Sequence, residues 1–206
     1  RQLLSINEQL EQTISSLNGL TTGRLTIASF ASIARNWLPE IIHAFQQEYP
    51  GIDIALMEGG TDDIVQWVEN NQADFGLLSK RNIGCLDWIP LYEDPLLAVL
   101  PEDYDTMGRE AFPISEMAGK SFIISAEGVD YDVHEALEIV SMVSSHLGMS
   151  ILPKLVIGHT QEAIKTLPLE PSVTRELGIA LRNAESITPA AQKFIECIQK
   201  ILPEMI

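Results

Sequence analysis

The sequence predicts an α/β fold in two regions, and three observations carry that prediction. From Gly23 to Leu78 strand-like and helix-like apolar periodicities alternate in the order βαβαβ, which calls for a parallel sheet with right-handed crossovers and helices on its faces. A turn-rich, acidic stretch, Glu102 to Gly119, follows the apolar run Leu96 to Leu100 and separates this unit from a second α/β region. The chain has 206 residues, 46% of them hydrophobic and 20% charged, enough to bury a substantial core in one large domain or two small ones.

Arg1 to Leu20 places Leu3, Leu10 and Leu17 seven residues apart, with Ile6 and Ile14 between them, a short heptad seam. A helix this short is marginal alone in water, so it is expected to pack on another subunit or on a segment upstream. The first residue is not Met, and the chain is expected to be a fragment of a longer protein. Leu25 to Ser29 reads as the first strand. Ala34, Trp37, Leu38, Ile41, Ile42 and Phe45 then recur at helical spacing. Pro39 is tolerated only in a first turn, so the helix either starts near Asn36 or is broken there.

Ile52, Ile54 and Leu56 alternate as a second strand, and Thr61 reads as the N-cap of a helix whose first turn carries Asp62 and Asp63 and whose inner stripe is Ile64, Trp67 and Val68. Asp74 to Leu78 is a third strand, Ile89 to Tyr92 a short edge element, and Leu96 to Leu100 a strand ending at Pro101. In the second region, Phe122 to Ser125 reads as a strand and Asp132 to Leu147 as a helix with Gly148 at C′. Ser150 to Leu152, Ile164 to Leu169 and Leu177 to Leu181 read as strands, and Thr188 with Pro189 opens a last helix.

Composition narrows the function. The net charge of −16 repels nucleic acid phosphates, so any DNA contact needs a separate basic module. No apolar run approaches the roughly 18 residues of a membrane span, and the N-terminus lacks the order of a secretory signal; a cytoplasmic protein is expected. Cys85 and Cys197 match no redox or metal spacing, and His43, His134, His146 and His159 form no ligand pair. No metal and no cofactor are expected. The sequence contains no G-x-S-x-G, P-loop or dinucleotide fingerprint, so it is not expected to be an enzyme.

What it offers at the carboxyl ends of its predicted strands is hydroxyls and backbone amides, on the face where open α/β sheets bind ligands. Ser29, Phe30, Ala31 and Ser32 form the first βα turn, Thr61 opens the second helix, Ser79 follows the third strand and Ser125 ends the first strand of the second region. Such groups hold a carboxylate or phosphate without a full opposing charge, although each Ser or Thr is also a local capping residue. Asp62 and Asp63 oppose an anion, while Lys80 and Arg81 offset them. A small anionic metabolite ranks ahead of a neutral one.

Gly23 to Pro50, with G-R-L-T-I-A-S and L-P-E-I-I-H-A-F-Q-Q-E-Y-P, Glu58 to Leu78, E-G-G-T-D-D-I-V-Q-W-V-E-N-N-Q-A-D-F-G-L-L, and Met142 to Pro153, M-V-S-S-H-L-G-M-S-I-L-P, together resemble the effector-binding domain of bacterial LysR-type transcriptional regulators. L-Y-E-D-P-L-L-A-V-L-P at Leu91 to Pro101 fits the same order. The resemblance runs from Gly23 to the C-terminus. It implies two Rossmann-like subdomains joined by two crossing strands, similar to type 2 periplasmic binding proteins, with a small-molecule effector in the intersubdomain cleft. Residues 1–22 then look like the end of a dimerising linker helix, 23–95 with 182–206 like one subdomain, and 96–181 like the other. It also implies a homodimer or homotetramer that meets DNA through an N-terminal helix-turn-helix domain absent from this sequence. Effector binding would change oligomer geometry and so control transcription; a solute receptor of a transport system is the alternative.

One departure stands out. Members of the family usually carry another strand between the helix holding Asp132 to Glu138 and the M-V-S-S-H-L-G segment, whereas here the two abut at Glu138 and Ile139. Taken alone, Val133, Leu137, Val140, Val143 and Leu147 make one acceptable helix. Either residues are truly deleted, or residues of the protein are missing from this sequence, and the second is the expectation.

Overall fold

The computed structural model describes residues 22–124, 133–158 and 160–206. The expected linker helix at Arg1 to Leu20 and the position of Ser125 lie outside the described residues. In chain order the elements are β1 (Gly23–Ser29), α1 (Ala31–Asn36), α2 (Leu38–Glu48), β2 (Ile52–Glu58), α3 (Thr61–Glu69), β3 (Phe75–Ser79), β4 (Asp87–Pro101), β5 (Phe112–Pro113), α4 (Val133–Ser144), β6 (Ser150–Pro153), α5 (Lys154–Ile157), β7 (Ile164–Glu170), β8 (Thr174–Leu181) and α6 (Pro189–Met205). The chain divides into two compact units at Leu91/Tyr92 and Glu176/Leu177, inside β4 and β8.

The first unit holds the parallel arrangement that βαβαβ alternation requires. β1 pairs with β2 from Gly23↔Ile52 to Ser29↔Glu58 and with β3 from Ile27↔Phe75 to Ser29↔Leu77, both in parallel; β8 joins β3 antiparallel. Leu25, Ile27, Ile33, Leu38, Ile41, Phe45, Ile64, Phe75, Leu77 and Phe194 are fully or almost fully buried. The apolar stripe after β1 is broken rather than started late: α1 ends at Asn36, Trp37 is stretched to φ −110° while still right-handed, and Pro39 sits in the first turn of α2. A proline deeper in a helix would clash with the carbonyl four residues back and remove one hydrogen bond.

Asp74 lies just before β3 and fastens β1 to α6: its carboxylate accepts from the Thr26 amide at 2.8 Å and from the Thr188 hydroxyl at 3.3 Å. Thr188 in turn caps α6 by accepting from the Ala191 amide, with Pro189 in the first turn, as the sequence predicts.

Two expected pieces, Ile89 to Tyr92 and Leu96 to Leu100, are parts of the single strand β4, which carries the chain from one unit to the other. Prolines interrupt a ladder only where their missing N–H is needed, and the ladders of β4 to β6 and β7 begin after Pro95, at Leu96 and Leu97. In the first unit, Gly178 of β8 lies against this strand so closely that a Cβ there would fall 2.3 Å from the Ile89 carbonyl oxygen and 2.6 Å from the Trp88 ring. Gly178→Ala is therefore expected to lower unfolding free energy by about 1–3 kcal/mol, the usual cost of overpacking, read as a lower denaturant midpoint.

In the second unit β4 lies between β6 and β7, antiparallel to both, and β5 extends β7 in parallel. Strand periodicity sorts its side chains: Leu96, Ala98 and Leu100 pack with Phe112, Met149 and Leu169, while Val99 packs with Ala136, Ile139, Val140 and Val143 of α4. α4 runs without a break through Glu138 and Ile139.

Two expectations fail here. Phe122 to Ser125 does not form a strand among the described residues, where it makes only a bridge from Phe122 to Met149; a short apolar run does not fix its own pairing. Gly148 is not the C′ residue. α4 ends in a Schellman motif in which Leu147 donates to the Met142 carbonyl, His146 donates to the Val143 carbonyl, and His146 takes the left-handed conformation at φ 62°. Gly148 is required for space, because a Cβ there would meet the Ser121 carbonyl oxygen at 2.7 Å.

Candidate functional site

The parallel registers bring the ends of β1, β2 and β3 together, since Ser29 of β1 pairs with Glu58 on one side and Leu77 on the other. The turn that follows β1 is thus the middle of three strand ends. It is held by the Phe30 amide donating to the Leu77 carbonyl at 3.0 Å and by the Gly59 amide donating to the Ser29 carbonyl. Phe30 is buried and caps α1 through its carbonyl, which accepts from Ile33 and Ala34. Ala31 and Ser32 open that helix, where N–H groups have no intrahelical partner.

Three of the hydroxyls nominated from the sequence, Ser29, Ser32 and Ser79, are among the few polar side chains buried in the described residues, at 1%, 1% and 3% exposure. Burial removes the solvated explanation for them and asks where their hydrogen bonds go. Ser29 Oγ donates to the Phe30 carbonyl at 3.0 Å, a local bond. Ser32 Oγ has no hydrogen-bond partner in the protein, although its own carbonyl accepts from the Asn36 side-chain amide at 2.7 Å. An orphaned buried hydroxyl costs about 1–3 kcal/mol unless a ligand or water satisfies it.

Thr61 is half-buried and is not the N-cap expected of it. Gly60 takes that position, and Thr61 is the first helical residue, because the extended backbone of a cap falls on the second glycine. Asp62 and Asp63 are exposed in the first turn of α3, and Lys80 and Arg81 are exposed beyond β3. Among the described residues no group of His, Cys, Asp and Glu is placed to hold a metal ion. Both cysteines are free, and burial pushes the Cys197 thiol above its ordinary range, away from the reactive thiolate.

Sequence reasoning missed the most buried charges. Asp94, 0% exposed, accepts from Arg175 Nε at 2.9 Å through Oδ2, which also lies 2.9 Å from Nη2 as an ion pair, and from the Leu155 amide at 3.0 Å through Oδ1. The signal was present in L-Y-E-D-P-L-L-A-V-L-P: a carboxylate inside an apolar strand must find a partner, because an unpaired buried charge is prohibitively costly.

Residues 18–203 match the family model described as the LysR substrate binding domain. The chain is similar to YoaU, an HTH-type transcriptional regulator of Bacillus subtilis, at 27% identity over 219 residues, covering 98% of this chain and 75% of that protein. That alignment is longer than this chain of 206 residues, so the relative carries positions that this sequence lacks. In structure the chain is similar to the reduced form of OxyR, with a TM-score of 0.75 at 21% identity over 87% of this chain and 95% of that one. It is also similar to the CcmR regulatory domain of Synechocystis PCC6803 in complex with 2-PG, with a TM-score of 0.74 at 19% identity over 87% of this chain and 97% of that one.

Proposed function

This chain belongs to the LysR substrate binding domain family, and from that premise we propose that it senses a small-molecule effector received at the turn between β1 and α1. It is the regulatory domain of a LysR-type transcriptional regulator, and its relatives are regulators rather than enzymes or transport receptors. Among the described residues no helix is long and apolar enough to cross a membrane. The observation that carries the site is the buried, unpartnered Ser32 hydroxyl. With Ser29, Phe30, Ala31, Thr61 and Ser79 around the same strand ends, and Ser125 outside the described residues, it forms the proposed contact set.

The effector is a small anion ahead of a neutral molecule, held by the Ser32 hydroxyl and the amides of Ala31 and Ser32, with Glu58, Asp62 and Asp63 limiting the charge it carries. The protein works in the cytoplasm as a homodimer or homotetramer and reaches DNA through an N-terminal domain. The effector alters that assembly by its difference in affinity between two arrangements.

A thermal-shift screen of small carboxylates, phosphates and their neutral amide or ester counterparts tests this. A stabilising anion is expected to bind Ser32→Ala about ten- to a hundredfold more weakly, since one hydrogen bond to a charged group is worth about 1.5–3 kcal/mol. A ligand that stabilises Ser32→Ala and Thr61→Ala as it does the wild type would place the site elsewhere.

A further inference from the structure

Only β4 and β8 carry the chain between the two units, at Leu91/Tyr92 and Glu176/Leu177. Any change in the relation of the units must be taken up in these two strands. Just inside the second unit they are cross-linked by three bonds within a few residues. Thr174 Oγ1 donates to Glu93 Oε2 at 2.5 Å, Arg175 Nε donates to Asp94 at 2.9 Å within their ion pair, and the Leu96 amide donates to the Val173 carbonyl at 2.9 Å. Asp94 ties in a third segment, because its other oxygen accepts from Leu155 in the first turn of α5.

A buried ion pair is weak evidence for stability, since desolvation offsets the attraction, and its best-attested use is in registry and switching. We propose that Asp94 and Arg175 form an acid-releasable clasp that holds β4, β8 and α5 in register where the crossing strands enter the second unit. The surroundings suit that use. Asp94 faces Arg175 on β8, Lys154 on α5 and Tyr92 on its own strand. Burial raises its carboxyl above the ordinary range against the pull of Arg175, the Leu155 amide and Lys154, so it takes up a proton at less acidic pH than an exposed aspartate does. Once neutral, it no longer offers Arg175 a charge. Because its folded value is raised, the folded protein binds more protons than the unfolded one between the ordinary and the raised value. Acidification through that window adds global stability through this group while it loosens the clasp.

The clasp rests on the sensor reading for its use and not for its existence. Its test contains no effector, so a failed effector screen and a failed clasp are separate results. Amide hydrogen exchange of the full chain is compared at about pH 7 and about pH 4, the lower close to the ordinary aspartate value of about 3.9, after correction for intrinsic rates. In the wild type, peptides covering residues 89–97, 153–158 and 172–178 are expected to lose about tenfold in protection at the lower pH while residues 136–143 keep theirs. Asp94→Asn is expected to show the acid pattern at both pH values. Asp94→Leu combined with Arg175→Met replaces the pair by apolar groups and is expected to remove the pH dependence. An unchanged wild type at the lower pH, a pH response retained by either variant, or equal loss throughout 136–143 would overturn the proposal.

Discussion

Replacing Arg175 by Met is expected to cost about 3–5 kcal/mol of unfolding free energy at neutral pH, because the change strands a buried carboxylate. Asp94 has no exposed surface and directs one oxygen at Arg175, accepting one hydrogen bond from Nε at 2.9 Å and lying 2.9 Å from Nη2. Met retains an apolar stem in the space of the arginine, so the loss measures the missing guanidinium rather than a cavity. The Leu155 amide alone remains on the other oxygen. The pH dependence has a definite sign. Burial already raises the Asp94 carboxyl and Arg175 opposes that rise, so the variant's folded value climbs further. Below it the folded variant holds a neutral Asp94, and its deficit relative to wild type shrinks as pH falls. Urea unfolding at about pH 7 and about pH 5, with the ordinary aspartate value near 3.9 as reference, checks both magnitude and direction. A deficit below about 1 kcal/mol that ignores pH would mean the pair behaves as a solvated one.

Phe194→Ala is expected to be comparably damaging, at about 3–5 kcal/mol, the usual cost of truncating a buried aromatic. Phe194 is fully buried on α6, edge-on to Phe45 of α2 at 4.9 Å between ring centroids and tilted against Phe75 of β3 at 6.0 Å. It therefore joins the C-terminal helix to both a flanking helix and the strand whose end carries Ser79. Thermal unfolding is expected to lose the transition of the first unit at a lower temperature, and Phe194→Leu, closer in volume, is expected to lose less than about 1.5 kcal/mol. Equal losses for Leu and Ala would show that an aliphatic chain recovers nothing of what the ring contacts supply there.

Both large effects turn on contacts between residues distant in the chain, and this is where sequence reasoning ran out. Asp94 and Arg175 are 81 residues apart, and no periodicity links them. The sequence marked Ser29, Ser32 and Ser79 as residues at strand ends. It did not separate Ser29, whose hydroxyl is satisfied by the neighbouring Phe30 carbonyl, from Ser32, whose hydroxyl is not. Caps were legible where the side chain does the work, as with Thr188, and misread where backbone geometry decides, as with Gly60 in place of Thr61 and His146 in place of Gly148.

The amino-acid order by itself determined the βαβαβ alternation, the disturbance at Pro39, the last helix and the family, because each rests on spacing within a few turns or strands. Tertiary structure decided that Ile89 to Tyr92 and Leu96 to Leu100 are one strand, that Phe122 to Ser125 makes only a bridge among the described residues, and that Asp94 is paired. Each of those outcomes depends on which partner the packed chain supplies, and a strand, a buried charge or an orphaned hydroxyl is defined by its partners rather than by its neighbours in sequence.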